Sequence, residues 1–374
     1  MKQKNKSLKI MTILGTRPEI IRLSRVLPKM DGYFRHVMVY TRQSYDYELS
    51  DIFFKELELR KPDYLLDVKS DTLGGQIANI IKQSEDVLRR ELPDALLVLG
   101  DTNSSLSAIV AKRMHIPIFH MEAGNRSFDW DVPEEVNRRI VDHISDYNLA
   151  YTEHARRYLL AEGIPGQTVF VTGSPYAEIF AHFGEKIEAN DVLDKLKLQP
   201  GGYFLVSIHR EENVEQEDRL NELLSSLEYL GSTYRLPIIL SMHPRTGKKV
   251  ASRKLHEAIR AQKPFGFLEF MKLAKHARCV LSDSGTIQEE SAIAGFPAVQ
   301  VRVSTERPEA FDAGSIIVAG FQKDALLTAV ELMLQEQESG SHRVIPDDYK
   351  DTNVSEKVVK IILGKTAIRK FHGR

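Results

Sequence analysis

Three carboxylates stand where a general acid or base is useful, just past an apolar run or at the start of a helical pattern. Leu96 to Leu99 leads into Gly100-Asp101-Thr102-Asn103, and Ile116 to Met121 leads into Glu122-Ala123-Gly124-Asn125-Arg126. Pro133-Glu134-Glu135 opens a helix. If folding brings Asp101, Glu122 and Glu134 within reach of one another, they supply the carboxyl groups that proton transfer on a sugar uses. Each also has a plainer reading: Asp101 could cap a helix, and a Glu beside Pro133 is ordinary helix-start chemistry. Glu122, followed by Ala-Gly-Asn, has no obvious capping duty.

Cations and hydrogen-bond donors form a second set. Arg17, in Gly15-Thr16-Arg17-Pro18-Glu19, sits at a helix start, where a guanidinium and backbone N–H groups can face a phosphate or carboxylate. The alternative is an Arg17–Glu19 pair that holds the turn. The same segment is neither the Gly-x-Gly-x-x-Gly loop of dinucleotide proteins nor a P-loop, which disfavours a dehydrogenase. In the second half, strand-like runs end at His209-Arg210-Glu211-Glu212-Asn213, at His243-Pro244-Arg245 and at Ser282-Asp283-Ser284-Gly285-Thr286. Ser284, Gly285 and Thr286 at a helix start make a phosphate nest, and Glu290 one turn later can accept two ribose hydroxyls. The plain alternative is a Ser/Thr-capped helix with a solvated Glu pair. His209 and His243 lack the short spacing and third ligand of a zinc site, so no metal is expected, and with the dinucleotide loop absent no NAD-type cofactor is expected either.

The elements that must position these residues are legible as alternation. The strand candidates are Leu8–Leu14, His36–Thr41, Ala95–Leu99, Ile116–Met121, Tyr147–Ala150 and Val169–Thr172, then Tyr203–Ile208, Pro237–Met242, Arg278–Ser282, Ala298–Val303 and Ser315–Val318. Helical patterns separate them, the signature of parallel sheets covered on both faces. The fold class is therefore α/β, with two doubly wound domains and a cleft between them, and ligands are expected beyond the carboxyl ends of the strands. The expected domains are 1–182, carrying the acids, and 183–352, carrying the nucleotide site. The charged segment 183–202 links them. The helix in 353–374, marked by Val354, Val358, Ile361 and Ile362, can pack on either.

Composition narrows the class. The chain has 374 residues, 51 Lys+Arg against 52 Asp+Glu and a formal charge of -1, so no global field draws it to nucleic acid or anionic lipid. Cys279 is the single cysteine, which excludes an intrachain disulfide framework. No apolar run approaches the roughly 20 residues of a membrane span. A soluble, cytoplasmic protein without membrane or nucleic-acid partners is expected.

Seven ordered motifs resemble those of the non-hydrolysing UDP-N-acetylglucosamine 2-epimerase family: Gly15-Thr16-Arg17-Pro18-Glu19, Gly100-Asp101-Thr102, His120-Met121-Glu122-Ala123-Gly124, Pro133-Glu134-Glu135, Val171-Thr172-Gly173, Asp283-Ser284-Gly285 and Thr305-Glu306-Arg307-Pro308-Glu309. Tyr45-Asp46-Tyr47, Gly124-Asn125-Arg126, His209 to Asn213 and His243-Pro244-Arg245-Thr246 look like the branch that makes UDP-N-acetyl-L-fucosamine for bacterial capsule and O-antigen. The resemblance implies a GT-B-like pair of Rossmann-type domains, with the last helix crossing back to the first, and a homodimer is expected. It implies Asp101, Glu122 and Glu134 as catalytic acids and Arg17 and His209 as groups that hold or activate a diphosphate. Arg22, Arg210, His243, Phe270, Ser284, Gly285, Thr286, Glu290 and Arg307 fall at substrate-binding positions, though Phe270 equally suits an ordinary core aromatic. The sequence departs from the family at Arg22, where a Lys is usual, at Thr286, where a second Gly is usual, and at Glu211, which replaces an Arg. It departs again at Arg42 and Ser44, around Gln43, where some relatives bind a second, activating UDP-sugar.

The chemistry implied needs such groups. C2 of a 2-acetamido sugar is not next to a carbonyl carbon, so direct loss of its proton gives a poorly stabilised carbanion. Departure of UDP from C1 with loss of the C2 proton gives a 2-acetamidoglycal instead, and protonation from the other face with return of UDP inverts C2. Alternatives left open are a GT-B glycosyltransferase, a hydrolysing 2-epimerase and a non-catalytic UDP-sugar sensor.

Overall fold

The computed structural model describes residues 8–43, 47–208, 210, 216–242, 247, 249, 250, 253, 255–340 and 344–371. The chain forms two compact units: the first runs to Ile179 and resumes at Asp348, and the second is Phe180–Asp347. Every apolar run read as a strand is one, with ends displaced by up to three residues.

The first unit holds β1 (Lys9–Leu14), β2 (Arg35–Tyr40), β3 (Tyr64–Leu65), β4 (Ala95–Leu99), β5 (Ile118–Met121), β6 (Tyr147–Ala150) and β7 (Val169–Val171). They form one sheet in the order β3-β2-β1-β4-β5-β6-β7, and every pairing is parallel. The second unit holds β8 (Phe204–Ile208), β9 (Ile238–Met242), β10 (Ile259–Gln262), β11 (Cys279–Ser282), β12 (Ala298–Gln300) and β13 (Ile317–Val318). Their order is β10-β9-β8-β11-β12-β13, again parallel throughout. Each is a doubly wound α/β sheet.

Burial on both faces is why these strands read as continuous apolar runs. Met11, Ile13, Val39, Leu96, Val98 and Ile118 pack with Val87 and Leu88 of the helix Leu73–Glu91. In the second unit Phe204, Val206, Leu240, Leu281 and Val299 pack with Leu223, Leu227 and Leu230 of the helix Glu217–Tyr234. The strands that sequence reasoning missed, β3 and β10, are the two edge strands on the corresponding side of each sheet. One is only two residues long, and the other, Ile-Arg-Ala-Gln, buries only its first residue, so neither carries an apolar signal. The last helix, Val354–Phe371, belongs to the first unit and buries Val354, Val358, Val359 and Ile362. Ser355 N–H donates to the Glu178 carboxylate at 2.8 Å and Lys357 Nζ donates to the Thr172 carbonyl at 3.2 Å.

In each sheet the chain reverses direction of growth once, between β1 and β4 and between β8 and β11. Loops leaving the carboxyl ends of strands at such a point diverge and leave room for a ligand. Gly15–Arg17 and Gly100–Asp101 flank the first point; Arg210 and Asp283–Gly285 flank the second. Among the described residues, no helix is long and apolar enough to cross a membrane and no group of three or more His, Cys, Asp or Glu could hold a metal ion.

Candidate functional site

In the first unit Leu99 is in register with Met121, so Asp101 and Glu122 leave the sheet on adjacent strands. Glu122 takes a left-handed φ of 62°, an uncommon value for a non-glycine residue. Its carboxylate is buried against the Arg22 guanidinium from the helix Arg17–Leu23. Asp101 does not cap the 3₁₀ turn Asn103–Ser107, whose cap residue is Thr102. Its carboxylate instead accepts from Arg138 Nε at 3.1 Å and Nη2 at 2.7 Å, while its carbonyl accepts from Asn137 Nδ2 at 2.9 Å. Both partners lie on the helix Pro133–Ile144, whose first turn carries the half-buried Glu134.

That helix clamps the strand-end loops with residues three and four apart, which share one face. Glu135 is fully buried and accepts from Ser127 N at 2.9 Å, from Arg138 Nη1 at 3.1 Å and from Arg139 Nε at 2.9 Å. Asp142, one turn beyond Arg138, accepts from Gly124 N at 3.1 Å and Arg126 Nη1 at 2.7 Å and lies 2.8 Å from His120 Nδ1. Arg126 forks onto Glu162 with bonds of 2.8 and 2.6 Å, and those bonds hold the Glu162 carboxyl down at about 2.

On the other side of the switch point, Glu19 turns back to accept at one oxygen from Gly15 N at 3.1 Å and from Thr16 N and Thr16 Oγ1, each at 2.8 Å. The same oxygen accepts from Thr102 Oγ1 at 3.2 Å, which ties the β1 turn to the β4 loop. The half-buried Arg17 has its guanidinium 5.6 Å from the centre of the Phe53 ring. Burial pushes the Glu19 carboxyl from 4.5 up to about 7, against the opposing pull of the Thr16 hydroxyl, the Gly15 N–H, Arg22 and Thr102. Between those pH values the folded chain holds a proton that the unfolded chain releases, so Glu19 makes stability fall as pH rises. Glu19→Gln keeps an acceptor and removes the titration. Its unfolding free energy is expected to lose a pH slope worth about 3 kcal/mol in total, measured by urea denaturation from pH 4.5 to 8. An unchanged slope would show that Glu19 is ionised throughout.

In the second unit Asp283 accepts from Arg210 N at 2.8 Å, and its carbonyl accepts from Arg210 Nε at 3.1 Å. Ser284 Oγ and Thr286 Oγ1 lie 3.0 Å apart, and the Thr286 hydroxyl donates to Glu290 at 2.9 Å. Gly285 is required by close approach, since a Cβ there would run into the Glu306 carboxylate. Glu306 is buried among cations, 2.8 Å from Arg302, 3.0 Å from Arg307 and 3.9 Å from Arg210. Arg307 Nε also donates to the fully buried Glu289 at 2.8 Å, so it braces the helix Ile287–Ala294 that carries Glu290. Phe270 is half-buried on the helix Phe267–His276. His209 and His243 lie outside the described residues.

The family model for UDP-N-acetylglucosamine 2-epimerase matches residues 29–363. The chain belongs to that family. By family it is an isomerase, a UDP-sugar 2-epimerase. A solved UDP-N-acetylglucosamine 2-epimerase from Rickettsia bellii is 46% identical, with 97% of this chain and 98% of that one covered and a TM-score of 0.90. The curated UDP-N-acetylglucosamine 2-epimerase of Methanocaldococcus jannaschii is 37% identical over 367 residues, 95% of this chain and 99% of its own. A crystal structure of Methanocaldococcus jannaschii UDP-GlcNAc 2-epimerase in complex with UDP-GlcNAc and UDP is also 37% identical, covers 95% of this chain and 99% of its own, and has a TM-score of 0.88. A glycosyltransferase from Rickettsia africae, 11% identical with a TM-score of 0.57 over 97% of this chain and 99% of its own, shares the GT-B-like fold.

Within this epimerase fold the structure brings Arg22 onto Glu122 and Ser284, Thr286 and Glu290 onto one another. Sequence reasoning missed Glu19, Glu135, Asn137, Arg138, Asp142 and Glu306 as members of the site. A signal was present for the helix residues: Glu135, Arg138 and Asp142 put charge on the stripe that a buried helix face normally fills with apolar side chains. Arg42, one of the departures from the family resemblance, has a left-handed φ of 52°, and Gln43 beside it accepts from Ser104 Oγ at 3.0 Å.

Proposed function

We propose that this chain is a non-hydrolysing C2 epimerase of a UDP-2-acetamido sugar that works by elimination and re-addition of UDP. The observation that carries the reading is the pair of carboxylates, Asp101 and Glu122, at adjacent strand ends, each gripped by an arginine rather than spent on helix capping. Glu134 on the clamping helix adds a third carboxyl. The family relation and the complex of the Methanocaldococcus jannaschii enzyme with UDP-GlcNAc and UDP support it.

In the proposed course the C1–O bond to the diphosphate breaks while one carboxylate takes the C2 proton, giving the 2-acetamidoglycal and UDP. A second acid then protonates C2 from the opposite face, and UDP returns to C1. Arg17 and His209 would hold the diphosphate as it leaves. Arg22 and Arg138 would fix the two acids, and Ser284, Gly285 and Thr286 would cradle phosphate. Arg210 and His243 would add positive charge, Phe270 would stack near the base, and Glu290 would take the ribose hydroxyls, with Arg307 bracing its helix. The proposed substrates are a UDP-GlcNAc/ManNAc pair or UDP-N-acetyl-6-deoxy-L-talosamine, converted for bacterial surface polysaccharide by a cytoplasmic homodimer.

The test is incubation with UDP-GlcNAc and, separately, UDP-N-acetyl-6-deoxy-L-talosamine in D2O, followed by NMR. The expected result is C2-inverted product carrying deuterium at C2 without stoichiometric free UDP. Stoichiometric UDP would place the chain with hydrolysing enzymes, and inversion without deuterium would point to a shielded proton shuttle or a redox route. For the nucleotide site, Glu290→Ala is expected to weaken UDP binding by roughly 1.5 to 3 kcal/mol, the worth of a hydrogen bond to a charged group. Unchanged affinity by calorimetry would move the ribose contact elsewhere.

A further inference from the structure

His120 is fully buried on β5, two residues before Glu122, and no step of the proposed reaction uses it. Its Nε2 lies 2.8 Å from the Gly100 carbonyl, and its Nδ1 lies 2.8 Å from Asp142 Oδ1. A carbonyl only accepts, so Nε2 carries a hydrogen that points at Gly100, and Asp142 sets the rotation of the ring. Gly100 has a left-handed φ of 66°, and its N–H is already bonded to the Met121 carbonyl at 2.9 Å. Gly100 is thereby held on both sides, its N–H by the Met121 carbonyl and its own carbonyl, which is part of the peptide joining it to Asp101, by His120.

We infer that His120 is a positioning residue that sets where Asp101 presents its carboxyl, acting through the Gly100 carbonyl. Asp101 is then fixed at three points: His120 on the preceding carbonyl, Asn137 on its own carbonyl, and Arg138 on its carboxylate. Asn137, Arg138 and Asp142 all lie on the helix Pro133–Ile144, so one helix reaches Asp101 directly and again through the ring. That helix also carries Glu134, and the arrangement locks the spacing of two proposed acids to one rigid element.

The inference rests on the epimerase reading for its kinetic consequence, and two isosteric substitutions separate the two ring contacts. An Asn amide places its NH2 near the position of Nδ1, and a Gln amide places its NH2 near that of Nε2. His120→Asn keeps the Asp142 contact and loses Gly100; His120→Gln does the reverse. Each gives up one buried hydrogen bond, so similar thermal stabilities are expected. Turnover is expected to fall about 10- to 100-fold in His120→Asn and several-fold less in His120→Gln, with KM within about 3-fold in both, as for a sub-ångström misplacement of a reacting group. Equal losses in the two variants, or a loss seen mainly in KM, would overturn the positioning role. A wild-type enzyme inactive on both nucleotide sugars would overturn the epimerase reading instead. The positioning is then read from the Gly100 and Asp101 amide resonances of the same variants, which shift in His120→Asn and stay near wild type in His120→Gln. Equal shifts in both would overturn it.

Discussion

Asp101→Asn, Glu122→Gln and Glu134→Gln are each expected to lower turnover about 10²- to 10⁴-fold, the usual cost of losing one acid/base group, while UDP affinity stays near wild type. The substitutions preserve shape while removing the negative charge and, with it, the ability to carry a proton. The amide introduced at position 101 would still offer an oxygen to Arg138, and the one at position 122 would offer its oxygen to Arg22, so the grip on each loop persists. UDP affinity should hold because the groups proposed to hold the nucleotide are other than these acids: Arg17 on the diphosphate and, in the second unit, Ser284, Gly285, Thr286 and Glu290. Turnover by NMR and UDP binding by calorimetry check the split. A variant with near-wild-type turnover would strip that residue of its catalytic role, and a parallel loss of UDP affinity would mean the carboxyl acts on the nucleotide.

Much of the fold was legible because its strands are buried on both faces. Runs such as Ala95–Leu99 and Phe204–Ile208 hold only apolar residues or a single Ser, and the loops after them hold the polar residues that matter. β3 and β10 were not legible, since an edge strand needs little apolar sequence to add one ladder. Asp101 and Glu122 could be picked out by their place after a strand, and Glu134 by its place at a helix start. Their supports left only charge on a buried helix face as a trace, and what they hold was hidden, because Arg138 and Asp142 reach Asp101 and His120 across 37 and 22 positions of chain, a contact that the parallel order of β4 and β5 creates. Glu19 was hidden for another reason. From sequence it is a plausible partner of Arg17, whereas burial turns its carboxylate back on the Gly15 and Thr16 N–H groups and closes a capping box.

Arg126→Ala is expected to destabilise the first unit by roughly 3 to 5 kcal/mol, the cost of leaving buried charges without their partner. The Arg126 guanidinium is fully enclosed and bonds to Asp142 at 2.7 Å, to the Asn125 carbonyl at 2.6 Å and to both oxygens of Glu162. Removing it strands Asp142, which also carries the Gly124 N–H and faces the His120 ring, so the loop that follows Glu122 loses its anchor. Arg126→Lys should recover only part of the loss, because an ammonium cannot fork across two carboxylates. The measurement is urea unfolding followed by the fluorescence of Trp130, the single tryptophan, which lies in this unit with Arg139 5.0 Å from its ring centre. The penalty should depend on pH in a defined direction. Glu162 is held at about 2 against an ordinary 4.5, so its contribution is complete above 4.5 and is lost as pH falls toward 2. The gap between wild type and Arg126→Ala should therefore narrow as pH falls through that window. A gap that stays constant from pH 5 to 2 would show that the Glu162 fork contributes nothing.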